Sequence, residues 1–92
     1  MNVLDILKKH EMEIKNKFSV SKIGLFGSSA REEQIESSDI DILVEFEEPS
    51  FDRFMDLSFF LEELLGKPVD LVTTNGISPY IETAIRKEVI WV

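Results

Sequence analysis

Three aspartates in this chain sit where strands belong, and they narrow the folds open to it. Asp39-Ile40-Asp41 opens the apolar run from Ile40 to Phe46, and Asp70 lies near the start of another, Val69 to Thr73. A carboxylate inside a β-branched run is costly unless something partners it. A third run, Val20 to Phe26, closes on Gly27-Ser28, and ten residues then lead to Asp39. If the three runs lie side by side with these ends together, carboxylates and a tight turn converge, and such a cluster calls for a cation.

The pattern between the runs supports that arrangement. Leu4, Leu7, Glu11, Ile14 and Phe18 recur at helical spacing and predict one helix over 3–17. Ser29-Ala30-Arg31-Glu32 has the form of a capping box at a short helix start. Pro49 stops the second strand, Ser50 is placed as an N-cap, and 51–65 reads as a helix ended by Gly66. Asn75-Gly76 is a turn, and Ser78-Pro79 opens a last helix running to about Lys87. Residues 89–92 read as a short final strand. The order αβαβαβαβ predicts an α/β (α+β) domain over 1–92, with a single mixed sheet of three to four strands flanked by helices. The helix between the second and third strands suits a parallel crossover, which sets Asp41 beside Asp70. A first strand running antiparallel to the second brings Gly27 to the same edge.

Charge and composition exclude several classes. With 18 acidic and 10 basic residues the net charge is −8, and the three arginines, Arg31, Arg53 and Arg86, are dispersed. Direct nucleic-acid binding, which depends on clustered Lys and Arg, is not expected. Cysteine is absent, so there is neither a disulfide framework nor a thiolate metal site. The N-terminal residues lack a signal-peptide pattern, and no apolar run approaches the ~20 residues of a membrane span. The expectation is a cytoplasmic protein.

Asp39 and Asp41, two apart on a strand, share a face. Two carboxylates ~4 Å apart repel by roughly 4 kcal/mol at an effective dielectric of 20, and a divalent cation turns that repulsion into binding. Oxygen-only ligands favour Mg²⁺ or Mn²⁺ over zinc. The spacing does not match a calcium loop, because Leu43 and Val44 fall where ligand and glycine belong. Gly27 lets a ligand approach the backbone closely, the Ser28 hydroxyl can bond a phosphate oxygen, and Arg31 can add a charge-assisted bond. Asp70 can bridge to a second metal ion or accept the proton of an attacking hydroxyl.

Each feature alone has a plainer reading. One aspartate at a strand start is usually a turn residue, and a lone Gly-Ser is usually a turn. Ser29 with Glu32 serves equally as a helix cap, and His10 reads as a solvated surface residue. Only the conjunction of three segments favours a site. On the helix over 51–65, Phe54, Leu57, Leu61, Leu64 and Leu65 form one apolar face, widened by Phe60. Phe51, Met55 and Phe59 form a second. That second face is either wrapped by the domain itself, the reading preferred here, or offered to a partner.

Gly27-Ser28, ten residues, Asp39-x-Asp41 and a later strand aspartate, Asp70, together resemble the motif of the DNA polymerase β-like nucleotidyltransferase superfamily. The small size, and Gly-Ser-x-Ala-Arg followed by Ser-Asp-Ile-Asp, are similar to its minimal nucleotidyltransferases (MNT), which are commonly antitoxins of HEPN ribonuclease toxins. The resemblance covers about 22–92 and implies a polymerase β palm-like core. It implies transfer of AMP from ATP to a tyrosine hydroxyl of a HEPN-type toxin, within a type VII-like toxin–antitoxin pair and a hetero-oligomer. It makes Asp39 and Asp41 ligands of Mg²⁺, with two ions expected, and Asp70 the third carboxylate and base. Gly27, Ser28 and Arg31 become the nucleotide contacts. One departure is Glu32, where many relatives have glycine. The alternatives are an antitoxin that only binds and occludes its toxin, or a nucleotidyltransferase acting on a small hydroxylated molecule.

Overall fold

In Ile40–Phe46, Ile40, Ile42, Val44 and Phe46 alternate with Asp41, Leu43 and Glu45, and the strand builds the centre of a four-stranded sheet. The computed structural model describes residues 3–27, 39–74, 83, 85 and 87–92. Its elements are α1 (Val3–Lys9), α2 (Glu11–Phe18), β1 (Val20–Leu25), β2 (Ile40–Phe46), α3 (Phe51–Leu65), β3 (Val69–Thr73) and β4 (Ile90–Trp91). The strand order is β3-β2-β1-β4. β1 runs antiparallel to β2 and to β4, and β2 runs parallel to β3, as the mixed sheet expected from sequence requires.

The core lies on one face of this sheet. Ile40, Ile42, Val44 and Phe46 of β2 meet Ile23 and Leu25 of β1 and Leu71 of β3 there. Leu7, Ile14 and Phe18 from the first two helices, and Leu57 and Leu61 from α3, close over them. Asp41, Leu43 and Glu45 alternate onto the other face. A bulge between Val20 and Lys22 keeps both Val20 and Ile23 in the core. Ser21, displaced by it, donates its hydroxyl to Glu45, to the carbonyl and to Oε2, at 3.0 Å each.

α3 has the boundaries its sequence predicts. The Ser50 hydroxyl accepts from the Arg53 amide at 3.1 Å, and Gly66 closes the helix at φ 69°. The N-terminal helix differs from the expectation of one continuous element over 3–17. It divides at His10, where the backbone opens to φ −106°, ψ 11°. There the ring Nδ1 donates to the Ile6 carbonyl at 2.9 Å, the same oxygen that His10's own amide reaches at 3.2 Å. His10 is thus half-buried and bonded rather than a solvated surface residue.

The second apolar face of α3 also departs from the preferred reading. Phe51 and Phe59 are 75% and 60% exposed, so the domain does not wrap them. With Leu57 and Leu61 filling the sheet face and Phe54, Phe60 and Leu65 packed at its margin, the outer row has nothing left to bury against. Residues 83, 85, 87 and 88 are helical, in keeping with the last predicted helix. The short helix expected at Ser29 and the turns expected at Asn75-Gly76 and Ser78-Pro79 lie outside the described residues.

Candidate functional site

Parallel pairing of β2 with β3 sets Asp41 directly opposite Asp70 in register, flanked by Ile40 with Val69 and Ile42 with Leu71. Register partners project to the same side, so both carboxylates leave the sheet on the face opposite the core that α1, α2 and α3 cover. Asp39, one residue before β2, stands two positions from Asp41 and is exposed to solvent. Asp41 is half-buried and Asp70 exposed. The Asp41 carboxyl is pushed above its ordinary range, first by burial and then by the negative charges of Asp70 and Asp39.

Gly27 completes the described part of the site. Its φ of +63° favours glycine, and a Cβ built there would stand 2.6 Å from Asp41 Oδ2. The approach is held by the Phe26 amide, which donates to the Asp41 carbonyl at 3.2 Å. The end of β1 and the start of β2 therefore meet at the edge where β3 presents Asp70, as the antiparallel reading requires. Ser28 and Arg31, and with them Glu32, lie outside the described residues. Among the described residues, no three His, Cys, Asp or Glu side chains group closely enough to hold a metal ion by themselves.

Two supporting residues carry no sequence signal of their own. Glu62 of α3 accepts the Val69 amide on Oε2 at 3.0 Å, and the Ile40 amide donates to the Pro68 carbonyl at 3.0 Å. These bonds fix the strand start that carries Asp70. Gly24 lies under β4 so closely that a Cβ would meet the Ile90 carbonyl at 2.6 Å. Its partnership with Trp91 appears only once the sheet is assembled.

Comparison with known proteins agrees with this geometry. Residues 7–92 match the family described as nucleotidyltransferase domain. The protein adenylyltransferase MntA of Thermococcus cleftensis is 46% identical over 88 residues, covering 95% of this chain and 89% of that protein. A solved structure described as a candidate minimal nucleotidyltransferase superposes with a TM-score of 0.84 at 32% identity, covering 98% of this chain and 95% of its own. The same fold recurs among toxin–antitoxin structures, two of which hold a nucleotide analogue or an AMPylated toxin. One contains AMP-PNP, with TM-score 0.76, 23% identity and coverage of 91% of this chain and 70% of that one. The other pairs a tri-AMPylated Shewanella oneidensis HEPN toxin with an MNT antitoxin, with TM-score 0.69, 22% identity and coverage of 99% and 71%. Sequence, sheet order and the meeting of Gly27, Asp41 and Asp70 thus converge, and this chain belongs to the nucleotidyltransferase domain family, within its minimal (MNT) group.

Proposed function

We propose that the chain is a protein adenylyltransferase that transfers AMP from ATP to a tyrosine hydroxyl of a HEPN-type ribonuclease toxin, and so acts as the antitoxin of that pair. The observation that carries this reading is the register pairing of Asp41 with Asp70 beside Gly27. Support comes also from the MntA relative and from the AMPylated toxin bound to an antitoxin of this fold. A cytoplasmic setting, where ATP is supplied, suits it. No helix among the described residues is long and apolar enough to cross a membrane.

Asp39, Asp41 and Asp70 are the proposed ligands for Mg²⁺, with two ions expected. Their fit is chemical: an oxygen-only set in which burial and then like charges raise the proton affinity of Asp41. Magnesium typically uses one or two carboxylates and completes its shell with water and phosphate oxygens. When bound, it supplies charge neutralisation at the triphosphate and the leaving group. Gly27, Ser28 and Arg31 are the proposed nucleotide contacts. Gly27 supports that role by leaving the edge beside Asp41 free of a side chain.

In the transfer, the tyrosine oxygen attacks the α-phosphorus. A P–O bond forms to the acceptor as the bond to the pyrophosphate oxygen breaks. The hydroxyl proton passes to a carboxylate, for which Asp70 is the proposed base. Its exposure at the outer strand leaves it open to a hydroxyl brought in by another protein.

The test is incubation of the chain with a HEPN-type toxin and ATP labelled at either the α- or the γ-phosphate. The α label should become covalently attached to the toxin and the γ label should not. An unlabelled toxin in both reactions refutes the assignment.

A further inference from the structure

The outer row of α3 plays no part in the site above. Phe51, Met55 and Phe59 recur every four residues and form one stripe, about 12 Å long from first to last at 1.5 Å per residue. Phe51 and Phe59 are exposed and Met55 is half-buried. At its N-terminal end the stripe opens into a cavity of about 320 Å³ lined by Phe46, Pro49, Ser50, Phe51, Phe54 and Thr73.

Beside Phe51, Met55 and Phe59 the exposed charge of α3 is acidic, and at the far end Lys17 lines the same cavity as Glu63. Exposed Asp52 and Asp56 form the adjoining row, and Glu63 continues the stripe itself. Arg53, the sole cation of α3, is engaged by Glu48. Its Nη1 donates to the Glu48 carbonyl at 2.8 Å and its Nη2 lies 3.4 Å from the Glu48 carboxylate. A second copy of this chain would bring the same acidic rows, and a further net charge of −8, against this face. The complement is an apolar ridge flanked by Lys or Arg.

We infer that the Phe51–Met55–Phe59 stripe, with the notch beside Phe46 and Phe54, is a docking surface for a basic amphipathic helix of a partner protein. One large apolar side chain enters the notch, and flanking cations meet Asp52 and Asp56. The inference rests on the partner protein proposed above and locates its hold on the opposite face of the sheet from Asp41 and Asp70. Docking here leaves the carboxylate edge uncovered. A partner can therefore remain bound while its hydroxyl, or that of another copy, is modified.

The experiment uses a synthetic helical peptide of about 20 residues with leucines at every fourth position flanked by lysines. Its counterpart carries glutamate in place of each lysine. The lysine peptide should bind the intact chain, weaken with salt and leave ATP binding unchanged, and the glutamate peptide should not bind. Binding should weaken by about tenfold or more in Phe51→Ser/Phe59→Ser, and likewise in Asp52→Lys/Asp56→Lys, whose apolar stripe is untouched. The inference is overturned by absence of binding, by equal binding of both peptides, or by binding unaffected in both variants. It is overturned as well by sedimentation showing self-association that the serine variant abolishes. Failure of AMP transfer with peptide binding intact would refute the enzymatic reading alone.

Discussion

Asp41 and Asp70 are register partners across two parallel strands, so their backbones stand one inter-strand spacing apart, ~4.8 Å, and their side chains share one face. Without a cation this pair is a local electrostatic fault. ATP would bring more negative charge to it. Nucleotide binding should therefore depend on divalent metal, with affinity at least about tenfold weaker in chelator than in Mg²⁺. Calorimetry in the two conditions measures this, and equal affinities would remove the metal role.

Burial of Asp41, reinforced by the same repulsion, gives stability a pH dependence in metal-free protein. Asp41 in the folded state holds its proton to higher pH than the ordinary value of 3.8, so the native state binds more protons than the unfolded chain in that interval. Stability from this group is fully present below 3.8 and falls as pH rises through the raised folded value. Asp41→Asn should flatten the decline, leave the fold intact and abolish AMP transfer. Urea midpoints across a pH series check the first effect. A variant as pH-sensitive as the parent would show that Asp41 is not its source.

Gly27→Ala places a methyl 2.6 Å from Asp41 Oδ2 at a φ of +63°. The backbone term alone should cost about 1–2 kcal/mol. The displaced carboxylate should lower transfer by more than the stability loss explains. Comparing melting temperature with single-turnover rate separates the two, and full activity at parental stability would contradict the packing of this turn against the carboxylate.

Asp70→Asn should keep most nucleotide affinity and lose most turnover if Asp70 serves mainly the acceptor hydroxyl. Transfer at the parental rate would take Asp70 out of the chemistry.

The two faces of α3 should respond differently to truncation. Leu57 is wholly buried, and Leu57→Ala should destabilise by about 2–5 kcal/mol. Phe59→Ala on the outer row should stay within about 0.5 kcal/mol, and Ser50→Ala should cost about 1 kcal/mol through loss of the cap to Arg53. Urea unfolding of the three variants gives the order directly.

Much of this architecture is legible locally. β2, α3 and β3 fall within their sequence-read limits because each has a chemical stop: Pro49 after β2, Ser50 and Gly66 around α3, Pro68 before β3. The adjacency of Asp41 and Asp70 follows from a parallel crossover between neighbouring strands, and the strand order supplies the neighbourhood. What local pattern misses is set by packing. His10 breaks a helix whose apolar spacing runs straight through it, because its ring competes for the Ile6 carbonyl. The burial of Phe51 and Phe59 depends on how much sheet there is to cover, which helical periodicity does not encode. The closeness of Gly24 to Ile90 and the reach of Glu62 to Val69 join residues from different elements and leave no mark in either segment.

The seating of β3 at the rim of the sheet has a kinetic meaning. Asp41 belongs to the central strand, flanked on both sides, whereas Asp70 rides on an edge strand whose residues are mostly half-exposed. Edge strands open in partial excursions that leave the interior paired. Each such excursion separates the two carboxylates while β1, β2 and the helices stay assembled. On the proposed assignment of this pair, AMP transfer is then lost over a smaller free-energy gap than global unfolding. On mild heating the chain should fall silent first and melt later, and Glu62, through its bond to the Val69 amide, sets how wide that interval is.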